Sequence, residues 1–283
     1  MRPPAARHLL YSYTMKSLIL AVFVLGSIVS MTMPPRTVSS EASTTSVEPI
    51  HYTKLDTRPN VSARAYTVFD INTGEVLFSQ NSDEPLPIAS VTKLFTASAA
   101  LRSSQLDSQV EVTQDDVAAE GRAGKLEAGQ KYVLRDLLFP LLLESSNDAA
   151  AVFERTLGKI SFPQVQLADA SGLSSYNVAS ASDLAASVSQ LYHQQAYLFD
   201  ITKLPQYIGS ETGWVNNSPV RDLPGYQGGK HGYTTAANRT LVAIFSEPTL
   251  ANREIGYVIL GSNDLKADTL SLRELVTNSV RLE

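Results

Sequence analysis

Ser90 and Lys93 stand three residues apart in the otherwise apolar run Pro87-Ile-Ala-Ser-Val-Thr-Lys-Leu-Phe95. On a helix that begins near Ser90, residues three apart share one face, so the lysine amine can reach the serine oxygen. A serine hydroxyl is a weak nucleophile and needs a neighbouring base to take its proton. Lysine serves as that base only when it is neutral near pH 7, which takes desolvation or a second cation nearby. The helix N-terminus adds N–H groups and a positive partial charge that favour a developing oxyanion. Pro85 and Pro87 keep the approach extended up to the helix start. The same spacing also occurs on ordinary helices whose lysine points into water, so the pair needs partners before it counts as chemistry.

Two further stretches offer partners. Ser145-Ser146-Asn147 lies between two apolar segments of helical character. Ser146 or Asn147 would serve there as an N-cap for the second helix. The alternative is a second hydroxyl and an amide projecting into a cleft, relaying protons and gripping a substrate amide. Lys230-His231-Gly232 follows Gly228-Gly229 in a strand-like run. Glycine within a strand marks places where a ligand or another backbone comes close. A cation there would lower the pKa of Lys93 and attract a carboxylate, whereas a plain edge-strand lysine would only guard against aggregation. His8, His51, His193 and His231 are scattered with no ligand spacing, so neither a metal site nor any other cofactor is expected.

The elements that must position these residues follow from local pattern. Around Asn72-Thr73-Gly74 the sequence alternates apolar and polar residues on both sides, the signature of a β-hairpin. Helical periodicity marks residues 90–104, 133–158 and 180–194. Ser180 with Asp183 forms a capping box, and Pro140 is expected to break or kink the second segment. From Gly225 three short apolar-rich strands return, and an amphipathic helix over 264–280 closes the chain. Strands at both ends of a helical middle predict an α+β fold: one antiparallel sheet with a helical subdomain inserted into it.

The 283 residues carry 43% hydrophobic and 18% charged side chains, a globular composition with room for one large domain or two small ones. A net charge of -5 gives no reason to expect nucleic acid as a partner. The lack of cysteine excludes disulfides, thiol nucleophiles, cysteine-ligated zinc and a lipid anchor on cysteine. Ser17–Met33 is an uncharged, mostly apolar run preceded by Arg2, Arg7 and Lys16, with Met15 an alternative start. It reads as a secretory signal or a short membrane anchor, and the lack of a clear small-residue cleavage site favours the anchor. Either version places the rest of the chain outside the cytoplasm. Residues 34–62, Ser/Thr-rich over Thr37–Pro49, are expected to be a linker, and 63–283 the catalytic domain.

Taken together, Ser90-x-x-Lys93, Ser145-x-Asn147 and Lys230-x-Gly232 occur in the order found in penicillin-binding proteins and class A β-lactamases. The surrounding words, PIASVTKLFTA, SSNDAA, DASGLSSYNVASASDLA and GGKHGYTTAANRTLVA, most resemble the low-molecular-weight D-alanyl-D-alanine carboxypeptidases of serine peptidase family S11, over about residues 63–262. The resemblance implies a β-lactamase/transpeptidase-like fold with an all-helical insert. It implies Ser90 as acylating nucleophile, Lys93 as its base and Ser145 as proton relay. Asn147 would bind a substrate amide, Lys230 would supply positive potential, and the N–H groups of Ser90 and Tyr233 would form the oxyanion hole beside Gly232. His231 stands where the family usually has threonine, so its ring would face a substrate carboxylate, as a cation if protonated, or turn away from the cleft. The implied substrates are peptidoglycan stem peptides, with β-lactams as covalent inhibitors. A D,D-endopeptidase, a β-lactamase-like enzyme and a catalytically weak penicillin-binding scaffold are the alternatives.

Overall fold

The computed structural model describes residues 52–55, 58–121, 123–209 and 212–282. The apolar run 17–33 and the Ser/Thr stretch 37–49 lie outside the described residues. Among those described, no helix is long and apolar enough to cross a membrane.

The main sheet has five strands: β1 (Ala65–Asp70), β2 (Val76–Gln80), β3 (Tyr226–Thr234), β4 (Asn238–Glu247) and β5 (Arg253–Ser262). Their spatial order is β3-β4-β5-β1-β2, and every neighbouring pair is antiparallel. Strands from the two ends of the unit therefore meet at the β5–β1 seam, which is what an insertion into a sheet requires. The hairpin expected around Asn72-Thr73-Gly74 joins β1 to β2.

Among the described residues six α-helices accompany the sheet: α1 (Thr92–Leu101), α2 (Leu138–Leu143), α3 (Asn147–Leu157), α4 (Ala181–Gln194), α5 (Tyr197–Lys203) and α6 (Leu265–Ser279). The central strands are buried on both faces, with their side chains alternating between two cores. Leu241, Ala243, Phe245, Ile255, Tyr257 and Ile259 face the core that includes α6. Val242, Ile244, Val258 and Leu260 face the larger core shared with α1–α5. Double burial is why these strands read as near-continuous apolar runs.

Three expectations need correction. Pro140 lies inside α2 and does not break it, because it falls in the first turn, where its missing N–H costs nothing. The break comes at residues 144–146, where Ser145 adopts a left-handed φ of 62°. The insert is not all-helical: it carries two-stranded ladders pairing 109–111 with 131–133 and 206–208 with 213–215. The expected linker over 34–62 also ends early, since Tyr52–Lys54 pairs with Val280–Leu282. Such short ladders bury too little to leave a periodic pattern in the sequence.

Helix α6 is pinned to the sheet by charge as well as packing. Arg273 donates to both carboxylate oxygens of Glu247, at 2.8 and 3.0 Å, and the Tyr257 hydroxyl donates to the same carboxylate at 2.7 Å. Glu247 is 2% exposed, so removing the guanidinium strands a buried anion. Arg273→Met is expected to destabilise the chain by about 3–5 kcal/mol, read as a lower urea midpoint.

Candidate active site

Ser90 lies in a short 3₁₀ turn, Ala89–Val91, that leads directly into α1. Lys93, in the first turn of α1, has no solvent exposure. Its Nζ lies 2.9 Å from Ser90 Oγ, 2.8 Å from Asn147 Oδ1 and 2.6 Å from the Ser171 carbonyl oxygen. As an ammonium it donates to all three. As a neutral amine it has two N–H bonds, which the two carbonyl oxygens take, and the lone pair is left facing the Ser90 hydroxyl. Burial pushes Lys93 down to about 7, against the Asp169 carboxylate, which favours the charged form. Desolvation thus does what a second cation was expected to do.

The junction between α2 and α3 supplies both a cap and two site residues. Ser146 Oγ accepts from Ala149 N at 3.0 Å and donates to Ala123 O, so it is the N-cap of α3. Asn147 Nδ2 donates to Glu120 O at 2.7 Å and Gly121 O at 3.3 Å, which turns its Oδ1 toward Lys93. The left-handed backbone at Ser145 aims its Oγ the other way, to accept from Lys230 Nζ at 2.9 Å. Trp214 donates to Gly124 O at 2.6 Å, and Lys125 reaches Glu144 at 3.2 Å, tying this junction to the 206–215 hairpin.

Strand β3 forms the opposite wall. Lys230 is 1% exposed, and its Nζ also donates to the His231 carbonyl at 2.7 Å. Its pKa is pushed well below the ordinary lysine value, first by burial and then by the Lys93 charge. An approaching anion would act against both and favour the ammonium. His231 lines an open cleft of about 520 Å³ together with Gly232, Tyr233, Arg239 and Lys266. Burial, Lys230 and Lys93 push His231 down to about 3, so the ring is a neutral donor or acceptor. That holds for the site without substrate; a carboxylate arriving beside the ring would act the other way.

Two glycines let separate elements close on Ser90. A Cβ on Gly232 would lie 2.4 Å from Ser90 N, which puts the Gly232–Tyr233 backbone against the Ser90 amide. A Cβ on Gly172 would lie 2.0 Å from Ala89 O. The loop carrying Gly172 is further sewn down by Thr96 Oγ1 to Ala170 O at 2.7 Å and Ile88 N to Asn177 O at 3.0 Å.

All eight residues expected from sequence therefore line one continuous region, in two linked halves. Ser90, Lys93 and Asn147 form the first half. Ser145 and Lys230 form the second, with the His231–Tyr233 edge beside it. Asn147 carries a different load from the one expected, since both ends of its amide are engaged with the protein. Ser171 stands in the stretch DASGLSSYNVASASDLA quoted for its resemblance but was given no role, because its contact with Lys93 is made by its carbonyl and a backbone group leaves no side-chain signature. Asp169 was given no role either, although Asp-x-Ser-Gly-x-Ser is the composition of a side-chain-stapled turn. Among the described residues no group of three His, Cys, Asp or Glu could hold a metal ion.

Residues 52–161 match the family described as D-alanyl-D-alanine carboxypeptidase. The carboxypeptidase DacB2 of Mycobacterium tuberculosis is 30% identical over 205 residues, 65% of this chain and 70% of that protein. The chain belongs to this family. A second relative, the D-alanyl-D-alanine endopeptidase of Haemophilus influenzae, is 32% identical over 139 residues, 43% of this chain. The match spans about half of that protein's length, 48%. The crystal structure of D-alanyl-D-alanine carboxypeptidase from M. tuberculosis H37Rv superposes with a TM-score of 0.69 at 24% identity, covering 79% of this chain and 94% of the other. That is a likeness of fold, and the fold is the penicillin-binding and transpeptidase fold that the motifs imply.

The glycine contacts give a test within this region. Gly172 and Gly74 both have positive φ, 87° and 74°, but a Cβ on Gly74 meets nothing within 4 Å. Gly172→Ala should lose more stability in urea than Gly74→Ala, whose cost is backbone strain alone, on the order of 1–3 kcal/mol. Equal losses would show that the loop does not press on the Ser90 turn.

Proposed function

We propose that this chain is a serine D,D-peptidase that removes the terminal D-alanine of peptidoglycan stem peptides through an ester on Ser90. The observation that carries the reading is the fully buried Lys93 amine, 2.9 Å from Ser90 Oγ, with carbonyl oxygens at its other two positions. Ser90 Oγ attacks the carbonyl carbon of the penultimate D-alanine and its proton passes to Lys93 Nζ. The carbonyl oxygen, now an anion, meets the N–H groups of Ser90 and Tyr233 at the start of α1 and the edge of β3. The C–N bond breaks, and the leaving amine takes a proton relayed by Ser145 from Lys230. Water then attacks the ester, its proton passing through Ser145 to the now neutral Lys230, while Lys93 returns its proton to the departing Ser90 Oγ, so that both lysines and Ser90 regain their starting states. The substrate's terminal carboxylate would favour the ammonium form of Lys230, and that charge in turn favours a neutral Lys93. A β-lactam carbonyl would be attacked in the same way, leaving a stable adduct.

A fluorescent penicillin tests the nucleophile and the base together. The wild type should be labelled and Ser90→Ala should not; equal labelling would remove Ser90 from the mechanism. Because the reactive form of Lys93 is the amine, the labelling rate should climb as pH rises through about 7. Lys93→Met should slow labelling on the order of 10²–10⁴-fold.

An endopeptidase is the second reading, favoured by the H. influenzae relative's name and by the cleft beside Gly232. At about 520 Å³ that cleft has room for a leaving group larger than one alanine. Products from a D-Ala-D-Ala pentapeptide and from a cross-linked peptide dimer separate the two. Release of D-alanine alone supports the carboxypeptidase; resolved cross-links without free D-alanine support the endopeptidase.

A further inference from the structure

Asp169 is not a group that touches Ser90, yet its carboxylate organises the turn that brings the Ser171 carbonyl to Lys93. Its Oδ1 accepts from Ser171 N at 2.7 Å, Ser171 Oγ at 2.8 Å and Gly172 N at 2.6 Å. Its Oδ2 accepts from Ser174 N at 2.7 Å. One carboxylate therefore folds residues 169–174 into a tight turn. Besides packing Gly172 against the Ser90 turn, it presents the Ser171 carbonyl to the site, 2.6 Å from Lys93 Nζ and 3.5 Å from Ser90 Oγ. The base of the turn is fixed independently. Asn177, fully buried, accepts from Asp169 N at 3.1 Å and donates to Asp169 O at 3.3 Å.

We propose that Asp169 is a positioning residue for the Lys93 amine: by stapling the 169–174 turn it holds the Ser171 carbonyl on one N–H of Lys93, so that the lone pair is left on Ser90. The proposal rests on the reading of Lys93 as the base. Asn147 Oδ1 alone would engage one N–H and leave the amine free to turn about that bond. Two carbonyls at fixed places remove that freedom, and a misplacement of about 1 Å in such an array can cost on the order of 10²-fold in rate. The carboxylate also acts through space. Burial pushes its pKa up, but the donors of Ser174, Ser171 and Gly172 outweigh burial and hold it below the usual carboxylate range, so it stays an anion. Facing Lys93 are this anion from the loop and, from β3, Lys230 and the neutral His231. Asp169 is thus the negative charge that opposes the desolvation of Lys93.

Two readouts on the full chain test this. The first needs no catalysis: titration of the Lys93 ε-carbon by NMR, with the signal assigned by its loss in Lys93→Arg. Asp169→Asn keeps an acceptor at Oδ1 but loses the charge and puts an amide donor opposite Ser174 N–H. Its Lys93 midpoint should fall below that of the wild type, because a stabilising anion has gone. The second readout is penicillin acylation, which in this variant should slow on the order of 10²-fold at a pH above both midpoints. A residue that merely braced the fold would leave the Lys93 midpoint where it is, so an unmoved midpoint overturns the proposal whatever the acylation rate does. A wild-type acylation rate overturns it as well. If the midpoint falls while the wild type itself takes no penicillin, the reading of Ser90 as nucleophile fails and the placing of the amine stands. Should Asp169→Asn not fold, Asp169→Glu decides: it keeps the anion but displaces the staple, so the midpoint should stay near wild type while acylation slows. Wild-type acylation in that variant overturns the proposal.

Discussion

An amine with no access to water is the constraint around which the site is built. A lysine loses its charge readily only when it is taken out of water. Lys93 is taken out completely by α1 on one side and by the α2–α3 junction, the 169–174 turn and β3 on the others. That burial would be costly if the amine were left without partners. Ser90, Asn147 and Ser171 supply three, so the same contacts that make the lysine tolerable also orient it. Remove any wall, and water returns the lysine to an ordinary ammonium.

The sheet matters to this arrangement chiefly as a ruler. Its five antiparallel strands put β3 at the edge nearest Ser90, and the hydroxyl of Thr240 on β4 donates to Ile88 O at 2.8 Å, locking the sheet to the start of the Ser90 turn. The alternation that sends Lys230 and Gly232 to one face sends His231 and Tyr233 to the other side of the strand. The first pair meets Ser145 and Ser90; the second borders the open cleft with Arg239 and Lys266. The side chains that meet the Ser90 and Ser145 region and those that border the open cleft therefore alternate along one strand.

How much of this was legible in the sequence depends on whether a feature lives in side chains. The five main strands, the helices beginning near Ser90 and at Ser180, and the closing helix all announce themselves through period and capping. The three motifs were legible for the same reason: each is a set of side chains at fixed spacing. Ser145-Ser146-Asn147 shows the limit. A cap and a catalytic constellation read as rival explanations in sequence, and the structure satisfies both, with Ser146 capping while its neighbours turn in opposite directions. Pro140 misled because a proline at the first turn and one at mid-helix look alike until the helix start is known. The Ser171 carbonyl and the pairing of Tyr52–Lys54 with Val280–Leu282 were illegible because both are backbone interactions between distant segments.

The site has one further property, which follows from where its parts come from. Ser90 and Lys93 belong to a helix, Asn147 to a junction some fifty residues on, Ser171 to a stapled turn and Gly232 to the edge strand. No single piece holds both an activated hydroxyl and the environment that activates it. A half-folded chain is therefore chemically silent, with a solvated ammonium beside an inert alcohol. Under the proposed reading, the surroundings that would activate Ser90 are complete only when the last of these walls has closed.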